Sequence, residues 1–538
     1  MKLLSSIISS IKFGPGEIKH FKGGLIRYYV EDALANEIDN HIEDVFKIDL
    51  RKINQCKKAE LHFLVYYRNL TFFFSKFTYI TWNVFLAYLK NDGKTTEVYL
   101  LPKKLAIFND VMRFFYLLLS TIYRVTSNFS LFGEHSLSKS YCKKDTLDAV
   151  NIAVQYYHGT NPAKRSDLFV LEGLNKNLEY KCFIFTNTKS NYKKLCNELA
   201  LFENDIKNSY GFNIELIAVH LNTVKLNFLW RSLMLSLKLF KKFDLNLIRN
   251  PLILLSMVIF NHNKISYREF FKACKIEKVT STNFSYNSSV ISGAAFDVNV
   301  TSIFKEVSVW GDWSTVNINK IICNEWLSLT KGSASYAKNT HVFVDKIGVS
   351  KSKKLLFSRN KKSHLFRIFI LGTNAGKNDS FFAPQTISSE LYSNNLNAFF
   401  NWGIKKNDVK ITVKEKKADS DFYLNTLKKT ECTEKSKHEK IEFIANPFGR
   451  ALLECCDGYD LYIALGTFYP SSIYEISDYV SRDQLVFWDI AGLSQAFPMI
   501  LETTTMNVCT SLDGLINFCE GRYHDHRQVN TKSTRKLF

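Results

Sequence analysis

Asp457-Gly-Tyr-Asp-Leu-Tyr-Ile-Ala-Leu-Gly-Thr-Phe-Tyr-Pro-Ser-Ser-Ile-Tyr-Glu-Ile, residues 457 to 476, decides the reading of this chain. The run Leu461 to Leu465 has the length and unbroken apolarity of an inner parallel strand. Pro470 fixes φ just before a helix start whose first free amides and hydroxyls belong to Ser471 and Ser472. At such a start, orphan N–H groups, the positive end of the helix dipole and two hydroxyl donors converge, which suits a phosphate. The plainer reading is an ordinary serine N-cap, worth about 1 kcal/mol.

Working outward, strand-like runs alternate with helical periods. Asp167 to Leu171, Cys182 to Thr186 and Ile214 to His220 read as strands, with a helix around Tyr192 to Ile206 between the last two. A strand-like run ending at Val307 to Trp310, a helix over Ile318 to Thr330 and a strand at His341 to Val344 follow. Beyond them lies a very basic segment carrying Lys351, Lys353, Lys354, Arg359, Lys361 and Lys362. Strands resume at Leu365 to Leu371, Val409 to Val413, Leu461 to Leu465 and Gln484 to Trp488. This alternation predicts an α/β protein with two Rossmann-like domains, residues 151–350 and 364–525, joined by a basic hinge at 351–363. Residues 1–150 are aromatic and helical in period, with Leu61 to Leu89 and Val111 to Arg124 the clearest stretches, and read as an N-terminal extension; 526–538 read as a polar tail.

Composition sets the class of partner. The 538 residues are 46% hydrophobic, enough for two or three cores, and Phe and Tyr abound (44 and 26) while Pro is scarce (8), against long disordered segments. A net charge of +20 favours anionic partners: nucleic acid, anionic lipid or phosphorylated substrates. The basic residues are dispersed without a compact basic-aromatic motif, so nucleic acid is not expected. The 11 cysteines form no C-x-x-C pair, which argues against a disulfide framework or structural zinc and fits a reducing cytoplasm. Vicinal Cys455 and Cys456 read as small buried hydrophobes.

Membrane signals are limited. Leu4, Ile7, Ile8 and Ile11 mark one face of a short helix rather than a signal sequence, since Lys12 interrupts the run and no small-x-small site follows. Val111 to Ile122 and Pro251 to Phe260 are shorter than the roughly 20 apolar residues of a spanning helix and read as core helices. Lys225 to Leu247 is amphipathic, with Arg231, Lys238, Lys241 and Lys242 among Leu, Phe, Trp and Met; it suits either an anionic leaflet or packing on its own domain.

The second domain holds the candidate donor-binding groups. Gly372-Thr-Asn-Ala-Gly-Lys-Asn-Asp-Ser, which contains Asn374, is a polar glycine-bearing loop after a strand. It is not a P-loop: its glycines are one residue too close and Asn378 stands where Ser or Thr is needed, so ATP hydrolysis is excluded. Lys414 and Lys416 follow the next strand, where cations neutralise a diphosphate.

In order, these pieces resemble the C-terminal half of the bacterial polysaccharide biosynthesis PFTS motif family and, more distantly, the GT-B glycosyltransferases. The matching features are Val413-Lys414-Glu415-Lys416, Asp457 or Asp460 before an apolar strand, Tyr469-Pro470-Ser471-Ser472, and the aromatic strand ending Phe487-Trp488-Asp489-Ile490. Lys275 to Trp313 is similar to the family upstream, with a small-residue helix at Val290 to Phe296 and a Val309-Trp310-Gly311 stop. The likeness spans roughly residues 150 to 525. Tyr and Pro stand where the family has Pro and Phe, and Ile490 replaces a proline. The resemblance implies a GT-B-like fold of two facing Rossmann-like domains and a cytoplasmic enzyme of surface-polysaccharide assembly. Its donor would be a nucleotide sugar, a CMP-sugar among the options, and its acceptor a glycan or lipid-linked glycan.

Glycosyl transfer then assigns roles. Ser471, Ser472 and Lys414, with Lys416, Asn374, Glu475 and Asp489, form the donor-binding set, and the leaving nucleotide's charge is met without a metal. Asp312 and Asp297 are the candidate bases for the acceptor hydroxyl. His524 and His526, two residues apart in a polar stretch, read as solvated rather than as metal ligands. No cofactor is expected beyond the donor substrate. The alternatives are a non-catalytic scaffold of the same fold that recruits enzymes to the inner face of the membrane and, last, a nucleic-acid-binding protein.

Overall fold

A computed structural model describes residues 23–48, 58–89, 101–127, 149–157, 159–160, 168, 171, 174–175, 177–210, 213–221, 226–281, 286–305, 321–328, 343–349, 364–372, 389–414, 440–444, 456–465, 476, 480–490, 494 and 506–535. Three long helices come first: α1 (Gly23–Phe46), α2 (Lys58–Leu89) and α3 (Lys103–Ser127). The first α/β domain follows as β1 (Val150–Gln155), β2 (Tyr180–Thr186), α4 (Lys189–Tyr210), β3 (Ile214–His220), α5 (Leu226–Phe240), α6 (Pro251–Ala273), β4 (Lys278–Ser281), α7 (Tyr286–Asp297), β5 (Thr301–Lys305), β6 (Ile322–Ser328) and β7 (Phe343–Val349). The second comprises β8 (Phe366–Leu371), α8 (Ser389–Ile404), β9 (Val409–Lys414), β10 (Ile441–Ile444), β11 (Leu461–Leu465), β12 (Leu485–Trp488), β13 (Asn507–Cys509) and α9 (Leu512–Arg535).

The strands form two separate sheets, and every pairing in both is parallel. The first runs β3-β2-β1-β4-β5-β6-β7 and the second β10-β9-β8-β11-β12-β13. Counting from its own first strand, the second sheet reads 3-2-1-4-5-6, and the first has the same order with one strand added. The fold is therefore α/β: two Rossmann-like domains with a helical N-terminal extension.

Alternation along each strand explains the layers. In the first sheet Ala153, Phe183, Phe185, Ile217 and Val219 point to one side, into a core with Phe260, Phe270 and Phe271 of α6. Their neighbours Ile152, Val154, Cys182 and Ile184 point to the other, where α4 brings Leu195, Leu199 and Ile206. Each fully buried Ile or Phe contributes about 1.5–3 kcal/mol. In the second sheet Ile368, Ile370, Val413, Ile463, Leu465 and Trp488 pack with Phe399 and Phe400 of α8 and Leu515, Cys519 and Tyr523 of α9.

The helical extension is part of the first domain's core rather than an appendage. Phe63, Tyr66 and Tyr67 of α2 share one cluster with Phe260 and Met257 of α6 and with Val290 and Ala294 of α7. Gly293 makes the approach possible, since a Cβ there would lie 3.3 Å from the His62 ring. Arg68, buried in this layer, donates from Nε to Asp39 of α1 at 2.9 Å.

Several expectations are corrected. Leu168 and Leu171 are each buried and in 3-10 conformation rather than strand, and the leading strand among the described residues is instead Val150–Gln155. The helix expected over Ile318 to Thr330 contains strand β6, which the ladders of β5 and β7 fix on both sides. The expected polar tail is helical through Arg535, and His526 is largely buried, 3.8 Å from Asp460 and tilted on the Phe366 ring. Of the two readings of the amphipathic stretch, packing on its own domain is the one met at α5, which lies on α6: Ser232, Ser236, Leu239 and Phe240 are buried, and Ser236 accepts from Asn261 Nδ2 at 2.9 Å. Val111 to Ile122 falls on α3, whose apolar residues Val111, Met112, Phe115 and Leu119 face outward. The basic hinge at 351–363, the helix at Met1 to Lys12 and the Val307 to Trp310 run lie outside the described residues.

Candidate functional site

In a parallel sheet the strand C-termini share one edge, and ligands of doubly wound folds bind where the strand order reverses. In the second sheet that point lies between β8 and β11. The register aligns the edge residue by residue: Ile444 with Lys414, Lys414 with Leu371, Leu371 with Ala464, and Leu465 with Trp488. Gly372 N donates to Lys414 O at 2.8 Å, which continues the β8–β9 ladder one residue beyond β8.

Two of the candidate donor-binding residues, Lys414 and Asp489, are described at this edge. Lys414 is the last residue of β9, half-buried and in register with the end of β8. Asp489 directly follows β12. Asn374, Lys416, Ser471, Ser472 and Glu475 lie outside the described residues, in segments that begin at the C-terminal ends of β8, β9 and β11.

Asp489 has a definite local task. Its carboxylate is fully buried, and Oδ2 accepts from both the backbone N and the Oγ of Ser494, each at 2.7 Å. Its own N–H donates to Cys509 O at 2.8 Å. The carboxylate thus ties Ser494 back to the end of β12, supporting the edge from within. Asp460 sits at the opposite end, just before β11: Oδ2 accepts from Arg367 N at 2.8 Å, and burial pushes its carboxyl above the usual carboxylate range. It straps β8 to β11 away from the strand mouths.

Of the two base candidates, Asp297 lies among the described residues. Asp297 ends α7, at the side of the first sheet where β5 begins, and its Oδ1 is 2.9 Å from Lys264 Nζ. That is the edge opposite the strand C-termini. Asp312 lies outside the described residues, in the segment between β5 and β6.

Reading the sequence missed the polar groups at the first sheet's own mouth. β2 and β3 end in register at Thr186 and His220, and the His220 ring lies 5.5 Å from that of Tyr192. Beyond β1, Gly159 takes φ +114° and Thr160 donates from N and Oγ1 to Glu198 Oε2, at 2.9 and 3.1 Å. A polar residue closing the apolar run Leu216 to Val219 was the available signal for His220, which stands two strands, about 10 Å, from β1. Among the described residues no group of three His, Cys, Asp or Glu is placed to hold a metal.

No known family profile matches the chain, and no curated protein does. Solved structures do resemble it. UDP-GlcNAc 2-epimerase from Neisseria meningitidis, bound to UDP-GlcNAc, is 10% identical over 71% of this chain and 93% of its own, with a TM-score of 0.39. MurG from Acinetobacter baumannii is 10% identical over 72% of this chain and 94% of its own, with a TM-score of 0.34. A mutant O-GlcNAc transferase from Thermobaculum terrenum is 9% identical over 86% of this chain and 76% of its own, with a TM-score of 0.32. At these values the fold is read from this chain's own strand order.

Proposed function

We propose that this protein binds a nucleotide sugar at the C-terminal edge of its second sheet and transfers the sugar to a glycan or lipid-linked acceptor, as an enzyme of bacterial surface-polysaccharide assembly. The observation that carries the reading is the 3-2-1-4-5-6 order of that sheet, which makes one edge the origin of the segments bearing Asn374, Lys414, Lys416, Ser471 and Ser472. As the glycosidic bond breaks, negative charge grows on the leaving nucleotide. Ser471, Ser472 and Lys414 would meet that charge by hydrogen bonds and a cation, with Glu475 offered to the ribose. Asp489 ties Ser494 back to the end of β12. Of the two base candidates, Asp312 is preferred, because Asp297 is occupied by Lys264 at the far edge.

The test is nucleotide binding by calorimetry. Replacing Ser471 and Ser472 by Ala removes two charge-assisted hydrogen bonds, each worth about 1.5–3 kcal/mol, so affinity for a nucleoside diphosphate or monophosphate should fall tenfold or more at unchanged melting temperature. Lys414→Ala should weaken the same ligand, most at low salt. An unaltered affinity in the double serine variant removes the phosphate site and leaves a non-catalytic scaffold of this fold as the better reading.

A further inference from the structure

Helix α3 is apolar on its exposed side as well as on its packed one. Its inward residues include Asn109 and Arg113: Asn109 Nδ2 donates to Ser75 Oγ and Thr78 Oγ1 donates to Asn109 Oδ1, both at 3.0 Å, and the Arg113 guanidinium lies 5.8 Å from the Tyr67 ring centre. Its outward residues are Ile107, Phe108, Val111, Met112, Phe115 and Leu119, with Phe108 50% and Leu119 61% exposed. At about 100° per residue these six fill an arc of about 140°. The charge among the described side chains of that arc is Lys104, exposed at its start; Asp110 lies off the arc and pairs with Arg113 at 3.1 Å. On α2, Phe73 is exposed as well, with Lys76 Nζ 5.6 Å from its ring centre.

A helix in water turns its apolar stripe inward and its polar residues outward. Here the packed side holds Leu117, Leu105 and Phe114 together with the buried Asn109 and Arg113, while a second face of bulky hydrocarbon points outward, over more contiguous residues than scattered surface hydrophobics account for. We propose that α3 is an interfacial helix that lies in the plane of an anionic lipid bilayer, with the Ile107–Leu119 arc in the acyl boundary and Lys104 and Lys76 at the headgroups. The charge fits: the arc carries a cation and no acid, on a chain of net charge +20. The length fits too. From Ile107 to Leu119 the stripe is about 18 Å long, short of the roughly 30 Å hydrocarbon core, and among the described residues no helix is long and apolar enough to cross a membrane.

The test is co-sedimentation of the full chain with vesicles, either pure phosphatidylcholine or phosphatidylcholine with a quarter phosphatidylglycerol. The wild type should bind the anionic vesicles and bind the neutral ones less. High salt should reduce binding without abolishing it, because the apolar contact persists. The triple variant Phe108→Ser, Phe115→Ser, Leu119→Ser should bind at least tenfold more weakly with an unchanged melting temperature; Val111→Glu alone serves if the triple variant expresses poorly. Undiminished binding by a folded variant overturns the proposal, as does a wild type that ignores both vesicles. A lipid-free dimer that the same substitutions convert to monomer also overturns it, and assigns the face to a second copy of the chain.

Discussion

Replacing Asp489 by Ala tests whether the C-terminal edge of the second sheet is held from within by a buried carboxylate. The substitution removes the acceptor of two hydrogen bonds, from Ser494 N and Oγ, each 2.7 Å long and charge-assisted. At about 1.5–3 kcal/mol each, the loss is about 3–6 kcal/mol, with the Ser494 donors left in a buried site. Asp489→Asn keeps an oxygen for Ser494 but not the charge, and should lose about half as much. With an m-value of about 2 kcal/mol/M, the Ala variant should open its second domain at about 1.5–3 M less urea. Hydrogen exchange at the amides of β11 and β12, measured against urea, isolates that domain from the rest of the chain. A midpoint within about 0.3 M of wild type, on the same m-value, would refute the anchoring role.

Four other outcomes are expected. Gly403→Ala places a Cβ 2.5 Å from Ile411 Cδ1 in the packed core between α8 and β9, and calorimetry should show about 1–3 kcal/mol of destabilisation from overpacking. Arg68→Met leaves Asp39 without its 2.9 Å partner at a largely buried site and should cost about 3–5 kcal/mol; a thermal melt unchanged from wild type would contradict this. At Glu520, burial pushes the carboxyl up, but hydrogen bonds from Lys406 and Trp402, at 2.7 and 2.8 Å, outweigh it and hold the group below the usual range. Its contribution is present above about pH 4.5 and is lost as pH falls through the lower folded value, so urea midpoints of wild type and Glu520→Gln should differ at pH 7 and converge in acid. Burial raises the Cys182 thiol to about 12 and lifts Cys519 as well, so mass spectrometry should find both unmodified by iodoacetamide under native conditions and both alkylated after unfolding.

Some elements were legible because local signals agreed with tertiary context. Ile214–His220 and Leu461–Leu465 are apolar runs of strand length, and both fold as inner or paired strands within the bounds that their sequence predicts. Ile441–Ile444 and Asn507–Cys509 are too short for a period to register, and only the waiting edges of β9 and β12 make them strands. Ile318, Ile321, Ile322 and Trp326 have helical spacing, yet β5 and β7 capture Ile322–Ser328, and Asn324 bonds Ser302 and Asp345 across them. The site divides in the same way. Lys414 at a strand mouth was visible in the sequence, whereas the edge position of Asp297 follows from the direction of α7, which no motif records. Periodicity gave α3 its apolar face but not the side on which that face would lie.

The last helix has a consequence for how the protein is made. Residues of α9 reach back across the second domain: Glu520 to Trp402 and Lys406, Tyr523 to Asp408, Arg522 to Asp483, and His526 to Asp460 and Phe366. During translation the strands of that domain emerge one after another while the helix that closes their apolar face is still being synthesised. Until residue 526 has cleared the ribosome, Phe366, Phe399 and Trp488 lack their cover, so the nascent second domain is a natural client for chaperones. A stop codon within α9 would leave that exposure permanent, and quality control rather than lost chemistry would set the phenotype.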